Sequence, residues 1–284
     1  MIKVVCWNIA RRAEPWRELA EMAWQGQVDV ALLQEAGNPP RDLKSQLPYK
    51  DDGSWNTHLH DRWCRVVALS DRVQVEPFRP VLPILKPAPH EFVVCGVGTI
   101  AAARVTPQGR PPQQAFIAVS MHARWTMPHP TTNSPWSAGA SDVSAHRIIS
   151  DLSTFIGHTD PSRHRLLAAG DLNMFFGATG HEMSLPERER SVWTRFEALG
   201  LQFLGPQAPH GRQANTTAPD VPADTRNVPT HHSSRQSPAE ADRQLDYAFA
   251  SRGFHESISV RALNRVDEWG SSDHCRLLIE IDTA

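Results

Sequence analysis

RLLAAGDLN, residues 165–173, decides how the rest of the chain is read. Its apolar run, 166–169, is bounded by Gly170 and succeeded at once by Asp171 and Asn173. That is the composition of a buried strand delivering two polar side chains where it leaves the sheet. Residues two apart on extended backbone share a face, so a proton-accepting carboxylate and a hydrogen-bonding carboxamide point to one spot. By itself the pattern also has an ordinary use, because Asp and Asn after a strand bond their own backbone in turns.

The same grammar, apolar strand then polar payload, recurs outward from this stretch. IKVVCWN ends in Asn8, VDVALLQE in Glu35 and FIAVSMH in His122; QLDYAFAS carries Asp246 near its start, and WGSSDHCRLLIEI places Asp273 and His274 before an apolar run. In this order the six motifs resemble the endonuclease/exonuclease/phosphatase superfamily, the metal-dependent phosphoesterases that include DNase I and the exonuclease III class of repair nucleases. The resemblance implies an α/β fold, a DNase I-like four-layer α/β/β/α sandwich of two mixed β-sheets flanked by helices, with the catalytic residues along one edge.

Composition sets bounds. The 284 residues, 40% of them hydrophobic, suffice for a sizeable core, and motifs running from Asn8 to His274 are read as one domain, 1–284. A formal net charge of -2 gives no global positive field to draw in nucleic acid, although a bound cation can supply positive charge locally. Cys6, Cys64, Cys95 and Cys275 have no paired metal-ligand spacing and sit in or beside apolar stretches, so buried reduced thiols are expected. No secretory pattern precedes Asn8, and the longest largely apolar run, 92–103, is far short of the roughly 20 residues of a membrane span. A cytoplasmic monomer with no membrane contact and no protein partner is the expectation.

Along the chain, a first strand at 2–8 leads to a helix at 14–25, where Pro15 suits the first turn and Trp16, Leu19, Ala20 and Ala23 share one side. A strand comes next at 28–33, and parallel pairing of the two strands would bring Asn8 and Glu35 to the same edge. The segment 38–61 is polar and broken by prolines. Strands are expected at 63–70, 92–105 and 115–121, the last two joined by the turn-rich TPQGRPP. After a loop at 124–139 holding Pro135 and Trp136, Ser141 or Asp142 can cap a helix with Ala145, Ile148, Ile149, Leu152, Phe155 and Ile156 in one stripe. A second helix at 186–199 turns Val192, Phe196 and Leu199 inward and its ERER run to solvent. The proline-rich segment 205–240 is expected to flank the active site, and strands near 244–251, 255–263 and 275–281 close the chain.

Phosphate-ester hydrolysis needs phosphoryl charge neutralised, a nucleophile in line and a place for leaving-group charge. Glu35 is the natural hard oxygen ligand for Mg²⁺, with Mn²⁺ an allowed substitute and Asn8 completing the shell; Asp273 resembles the family's other metal-side carboxylate. Asp171 is the candidate to activate water and Asn173 to hold that water or a phosphoryl oxygen. His122 and His274 fall where DNase I-like members of the family place two phosphate-facing histidines. Asp246 reads as the carboxylate that orients His274. Which of Asp171 and His274 takes the proton from water stays open.

The resemblance leaves the phosphoester to be chosen. Met174, Phe175 and Phe176 lack the following Arg of inositol polyphosphate phosphatases, and Thr230 is followed by His231 and His232 where abasic-site nucleases carry an aromatic. A metal-dependent phosphodiesterase, a nuclease acting on DNA or RNA, is the reading, with Arg11, Arg12 and Arg124 to track a phosphate backbone and Trp125, Phe175, Phe176 and Trp269 to stack bases. The alternatives are an esterase for a small phosphorylated metabolite or lipid head group and, from another class, a binding module without catalysis.

Overall fold

Strand β1 (Ile2–Asn8) sorts the layers, because its side chains alternate between two cores: Val4 and Cys6 enter one, Val5 and Trp7 the other. In this computed structural model, residues 1–44, 46–47, 63–84, 86–96, 98–133, 139–157, 159–180 and 185–283 are described; Pro135, Trp136 and much of the polar stretch read at 38–61 lie outside them. Helix α1 (Glu14–Trp24) covers the Val5 and Trp7 face with Trp16, Leu19 and Ala20. Strand β2 (Val30–Gln34) pairs parallel to β1, aligning Asn8 with Gln34, and β3 (Arg65–Ala68) pairs antiparallel to β2.

The chain then builds a second sheet. It comprises β4 (Val73–Pro77), β7 (Ile100–Pro107), β8 (Phe116–His122), β9 (Leu166–Asp171), β10 (Leu201–Gly205) and β11 (Asp246–Ser251), while β5 (Arg79–Val81) and β6 (Glu91–Val93) form a separate two-stranded ladder. The closing strands, β12 (Ile258–Leu263) and β13 (Arg276–Ile281), return to the first sheet, giving orders β12-β13-β1-β2-β3 and β10-β11-β9-β8-β7-β4. Each sheet holds one parallel pair, β1 with β2 and β8 with β9, among antiparallel ones. Between the sheets, Val4, Cys6, Val30 and Leu32 meet Ala118, Leu167, Ala169, Ala248 and Ala250. On the outer face of the second sheet, α2 (Asp142–Leu152) and α3 (Pro186–Ala198) pack Ile148, Ile149, Val192 and Phe196 against Val119, Ala168 and Phe249. Helix, sheet, sheet, helix is the layering that two amphipathic sheets and amphipathic helices permit. No described helix is long and apolar enough to cross a membrane.

Several local expectations give way. The long strand read at 92–105 is broken in two, with Gly98 at a φ of 71° and the Thr99 hydroxyl donating to the Gly96 carbonyl in the interruption; Cys95 lies there exposed, unlike the other three cysteines, all four being free. Strands β4, β5 and β10 were not apparent from periodicity, being short and at edges. Ser141 does not cap α2 with its side chain; its hydroxyl donates 2.7 Å to the Asn173 carbonyl instead. Nor is the ERER run only solvated, since Arg188 grips Asp142 through two bonds of 2.7 and 2.9 Å and Glu189 is half-buried.

Candidate active site

Three neighbouring strands of the second sheet end level with one another. His122 and Asp171 are register partners across β8 and β9, and Asp171 and Asp246 across β9 and β11. The other sheet supplies Asn8 at the end of β1 and His274 just before β13. The site is thus an edge where the exits of both sheets meet.

Asp171 is its hub. Its Oδ2 accepts hydrogen bonds from Asn8 Nδ2 at 3.0 Å and Asn173 Nδ2 at 3.1 Å, and lies 3.7 Å from His122 Nε2 and 3.9 Å from His274 Nε2. Its Oδ1 accepts from the Asn173 backbone N–H at 2.8 Å. The side chain is 1% exposed, and burial pushes its carboxyl up to about 7, with the Asp246 charge adding to the rise and His274 and the hydrogen bonds of Asn173 and Asn8 opposing it. A base that titrates there suits proton removal near neutral pH.

His274 carries the opposite bias. Burial disfavours its charged form, but the carboxylates of Asp246 and Asp171 prevail and hold it up to about 10. Its Nδ1 lies 2.8 Å from Asp246 Oδ2, and Trp7 Nε1 donates to its backbone carbonyl at 2.8 Å. Asp246 is positioned in turn by Thr230, whose Oγ1 accepts from the N–H groups of Leu245 and Asp246. Asp246→Asn is therefore expected to lower turnover roughly 10- to 100-fold and to move the alkaline limb of the pH–rate profile downward, because His274 would lose a neighbouring negative charge. An unchanged alkaline limb would separate Asp246 from the titration of His274.

Glu35 joins from the first sheet, with Oε1 3.7 Å from His122 Nε2 and a side chain 14% exposed. Its backbone is left-handed, φ 47°, as are Ala10, Arg11 and Asn173 at 48°, 60° and 51°. Only one other described non-glycine residue, Asn133, shares that conformation, so four of the five strained positions border this edge, where strain is held in place by the surrounding fold. A backbone bond from the Arg11 N–H to the Glu35 carbonyl ties the two loops together, and within the first of them Asn8 Oδ1 accepts from the Ala10 N–H. Asp273 stands on the other side; burial would raise its carboxyl, but the charge of His274 and the Ser272 hydroxyl are among the influences that hold it below the ordinary value.

Among the described residues, Asp171, Asp246 and His274 form a grouping that could hold a metal ion, with ligand atoms within 4.8 Å of one another. His274 and Asp246 already share a hydrogen-bonded proton, however, and an ion between them would displace it. Glu35, Asp273 and the amide oxygen of Asn8, which also accepts from the Ala10 N–H, are the donor types that suit a hard divalent cation, two carboxylates and a neutral oxygen.

The remaining candidates divide. Asn173 has both amide hydrogens engaged, on Asp171 and on the Ala123 carbonyl at 3.0 Å, while its Oδ1 accepts from Trp125 Nε1 at 3.1 Å. It therefore positions Asp171 and has no amide hydrogen left for a substrate oxygen. Trp125 is half exposed, and Arg11 and Arg12 are exposed beside the edge, Arg12 donating to the Ser271 carbonyl at 2.7 Å. Arg124 and Phe175 are half-buried. Trp269 is not available to stack a base: it is 1% exposed and its indole donates to the Ser272 carbonyl. Phe176 is likewise committed to core packing, stacked on Phe203 at 4.4 Å between centroids. Missed in the sequence was His231, whose ring lies 4.8 Å from that of His274 and whose backbone bridges both Arg243 and His274. Burial presses its imidazole down to about 4, so it is neutral. The long segment 205–240 thus reaches the edge through a histidine that no strand periodicity could mark.

No protein-family model matches the sequence, and no curated protein does. Solved structures do match. An AP endonuclease from Leishmania major is similar over 99% of this chain and 88% of its own, with a TM-score of 0.59 at 16% identity. A 3′–5′ exonuclease from Neisseria meningitidis matches over 99% and 100% with a TM-score of 0.56 at 15% identity. An endonuclease/exonuclease/phosphatase family protein from Bacteroides thetaiotaomicron matches over 99% and 97%, TM-score 0.56, at 14% identity. At such identities the likeness establishes the architecture, a four-layer sandwich of the endonuclease/exonuclease/phosphatase type.

Proposed function

From the endonuclease/exonuclease/phosphatase fold as premise, we propose that this chain is a divalent-metal-dependent phosphodiesterase that hydrolyses nucleic acid. The observation that carries the proposal is the hub itself. One buried carboxylate oxygen, Asp171 Oδ2, is met by groups from both sheets, with a charged imidazole 3.9 Å away. In this reading Asp171 takes the proton from an attacking water held in line with the phosphorus. His274, kept cationic by Asp246, and His122 donate to phosphoryl oxygens as negative charge grows, the ester P–O bond opposite the water breaks, and the departing oxygen takes its proton from solvent. Glu35, Asp273 and Asn8 would hold Mg²⁺, or Mn²⁺ in its place, and a bound ion would neutralise phosphoryl charge. Asn173, locked by Trp125, keeps the base aimed.

Two features support a polymer as substrate. Arg11 and Arg12 are exposed at the same edge as the hub, and Trp125 presents a half-exposed indole there. Two of the three structural neighbours described above are nucleases by name. A cleft of about 240 Å³ beside Asn173 favours a second reading, an esterase for a small phosphorylated metabolite. A binding module without catalysis has no use for a base and a charged acid assembled together.

The test is hydrolysis of plasmid DNA, single-stranded DNA, RNA, bis(p-nitrophenyl) phosphate and p-nitrophenyl phosphate, each with Mg²⁺, Mn²⁺ or EDTA, beside Glu35→Gln. Diester cleavage that needs the metal and is mostly lost in the variant is expected. Cleavage of the monoester alone would replace this proposal with the second reading, and no cleavage by folded protein would overturn both.

A further inference from the structure

The cleft beside the hub has a composition of its own. Asn173 and His231 belong to both it and the catalytic edge, so whatever fills it lies next to the reacting phosphate. Two aromatic side chains, Trp125 and Phe175, line it, and the Arg243 guanidinium stands over the Phe175 ring at 5.6 Å. Its volume, about 240 Å³, is below the ~300–1,000 Å³ of pockets for drug-sized ligands and accommodates a single ring system.

Its two carboxylates differ. Asp142 is satisfied by the paired bonds from Arg188. Glu189 has no such cation among the described residues: burial raises its carboxyl, backbone hydrogen bonds from Leu185 and Phe175 oppose that rise, and its Oε2 is left buried without a hydrogen-bond partner. The chemistry that completes this cleft is a flat ring with apolar faces and an N–H donor on its rim. A bare phosphate or sugar has neither the flat face for Trp125 and Phe175 nor an amine for Glu189.

We propose that this cleft is a subsite for one amine-bearing nucleobase, adenine, cytosine or guanine, turned out of the strand beside the scissile phosphate. The inference rests on the nucleic-acid reading of the catalytic edge and names the form of substrate that reading would take. A base still stacked in a duplex cannot enter such a cleft, so single strands, ends or unpaired positions are the preferred substrates. Uracil is disfavoured, because its one free ring donor is flanked by two carbonyl oxygens that would face Glu189.

Binding tests this without turnover. Protein freed of metal with EDTA is titrated calorimetrically with AMP, CMP, GMP, UMP and ribose 5-phosphate. The amine-bearing nucleotides are expected to bind about tenfold or more tighter than ribose 5-phosphate, the scale of one base stacked on an aromatic. Phe175→Ala should weaken all the nucleotides and leave ribose 5-phosphate unchanged. Glu189→Gln, nearly isosteric, should bring AMP, CMP and GMP to within about threefold of UMP, as loss of one charge-assisted hydrogen bond implies. Equal binding of ribose 5-phosphate and the nucleotides, or no nucleotide binding at all, would overturn the subsite. A Glu189→Gln variant whose preference for amine-bearing bases is intact would remove the carboxylate from the proposal. Base-dependent binding by a protein that cleaves no diester would sink the hydrolase reading and leave the subsite standing; diester cleavage with no base dependence would do the reverse.

Discussion

Asp171→Asn is expected to lower kcat by ~10²–10⁴ while leaving the melting temperature unchanged or higher. Asparagine keeps the volume and can still accept from Asn8, but it cannot take a proton from water. The effect on stability comes from the raised carboxyl. Asp171 moves from 3.8 to about 7 on folding, so between those values the unfolded chain gives up its proton first. Rising pH through that window therefore removes stability, and above it the folded protein carries a buried charge at full cost. The amide has no such charge to bury. Lost activity with unchanged or improved stability at pH 7.5, measured by initial rates and thermal melting of the same sample, is the signature of a residue kept for chemistry. Activity within about tenfold of the parent would remove Asp171 from the role of base.

The second large effect falls one residue earlier. Gly170→Ala is expected to cost roughly 3 kcal/mol or more, at the upper end of overpacking in a well-filled interior. A Cβ built at Gly170 would lie 1.8 Å from the Met121 carbonyl oxygen and 2.6 Å from its carbon. The obstacle is backbone of the adjacent strand, which cannot swing aside as a side chain might. Strands β8 and β9 would have to separate just where they carry His122 and Asp171. At about two to four degrees per kcal/mol for a chain of this order, the melting temperature should fall by roughly 10 °C or more, and urea denaturation should show a matching loss. Gly37→Ala is the control, since nothing lies within 4 Å of its added Cβ. A Gly170→Ala protein as stable as the control would mean that the two strands are not packed this closely.

Much of the framework could be read because strands of this fold announce themselves by the polar residues at their exits. β1 is buried nearly throughout, and so is β9, and each ends in a side chain that local packing cannot absorb, Asn8 and Asp171. α1 was legible from Pro15 and the spacing of Trp16, Leu19 and Ala20. The elements that escaped share a cause. Loop side chains have no period to fix their direction, so Trp269, near His274 in sequence, looked available and is in fact sealed in the core with its indole bonded to Ser272. His231 and Thr230, one against His274 and the other holding Asp246, lie in a segment whose neighbours in sequence are polar and proline-rich. The bond from Asn8 to Asp171 spans 163 residues, and only the packing of one sheet on the other puts the two in reach. Asn173 was placed at the site by its spacing from Asp171, yet its duty changed because Trp125 and the Ala123 carbonyl occupy it.

The first sheet is stitched from both ends of the described chain, β1 to β3 flanked by β12 and β13, while the second is made wholly from the middle. That wiring orders events while the protein is being made. On the ribosome the residues of the middle sheet, Asp171 and Asp246 among them, emerge while β1 has β2 but not yet β13 beside it, and the imidazole of His274 arrives just ahead of β13. A nascent chain therefore carries the carboxylates of Asp171 and Asp246 before it has the imidazole of His274.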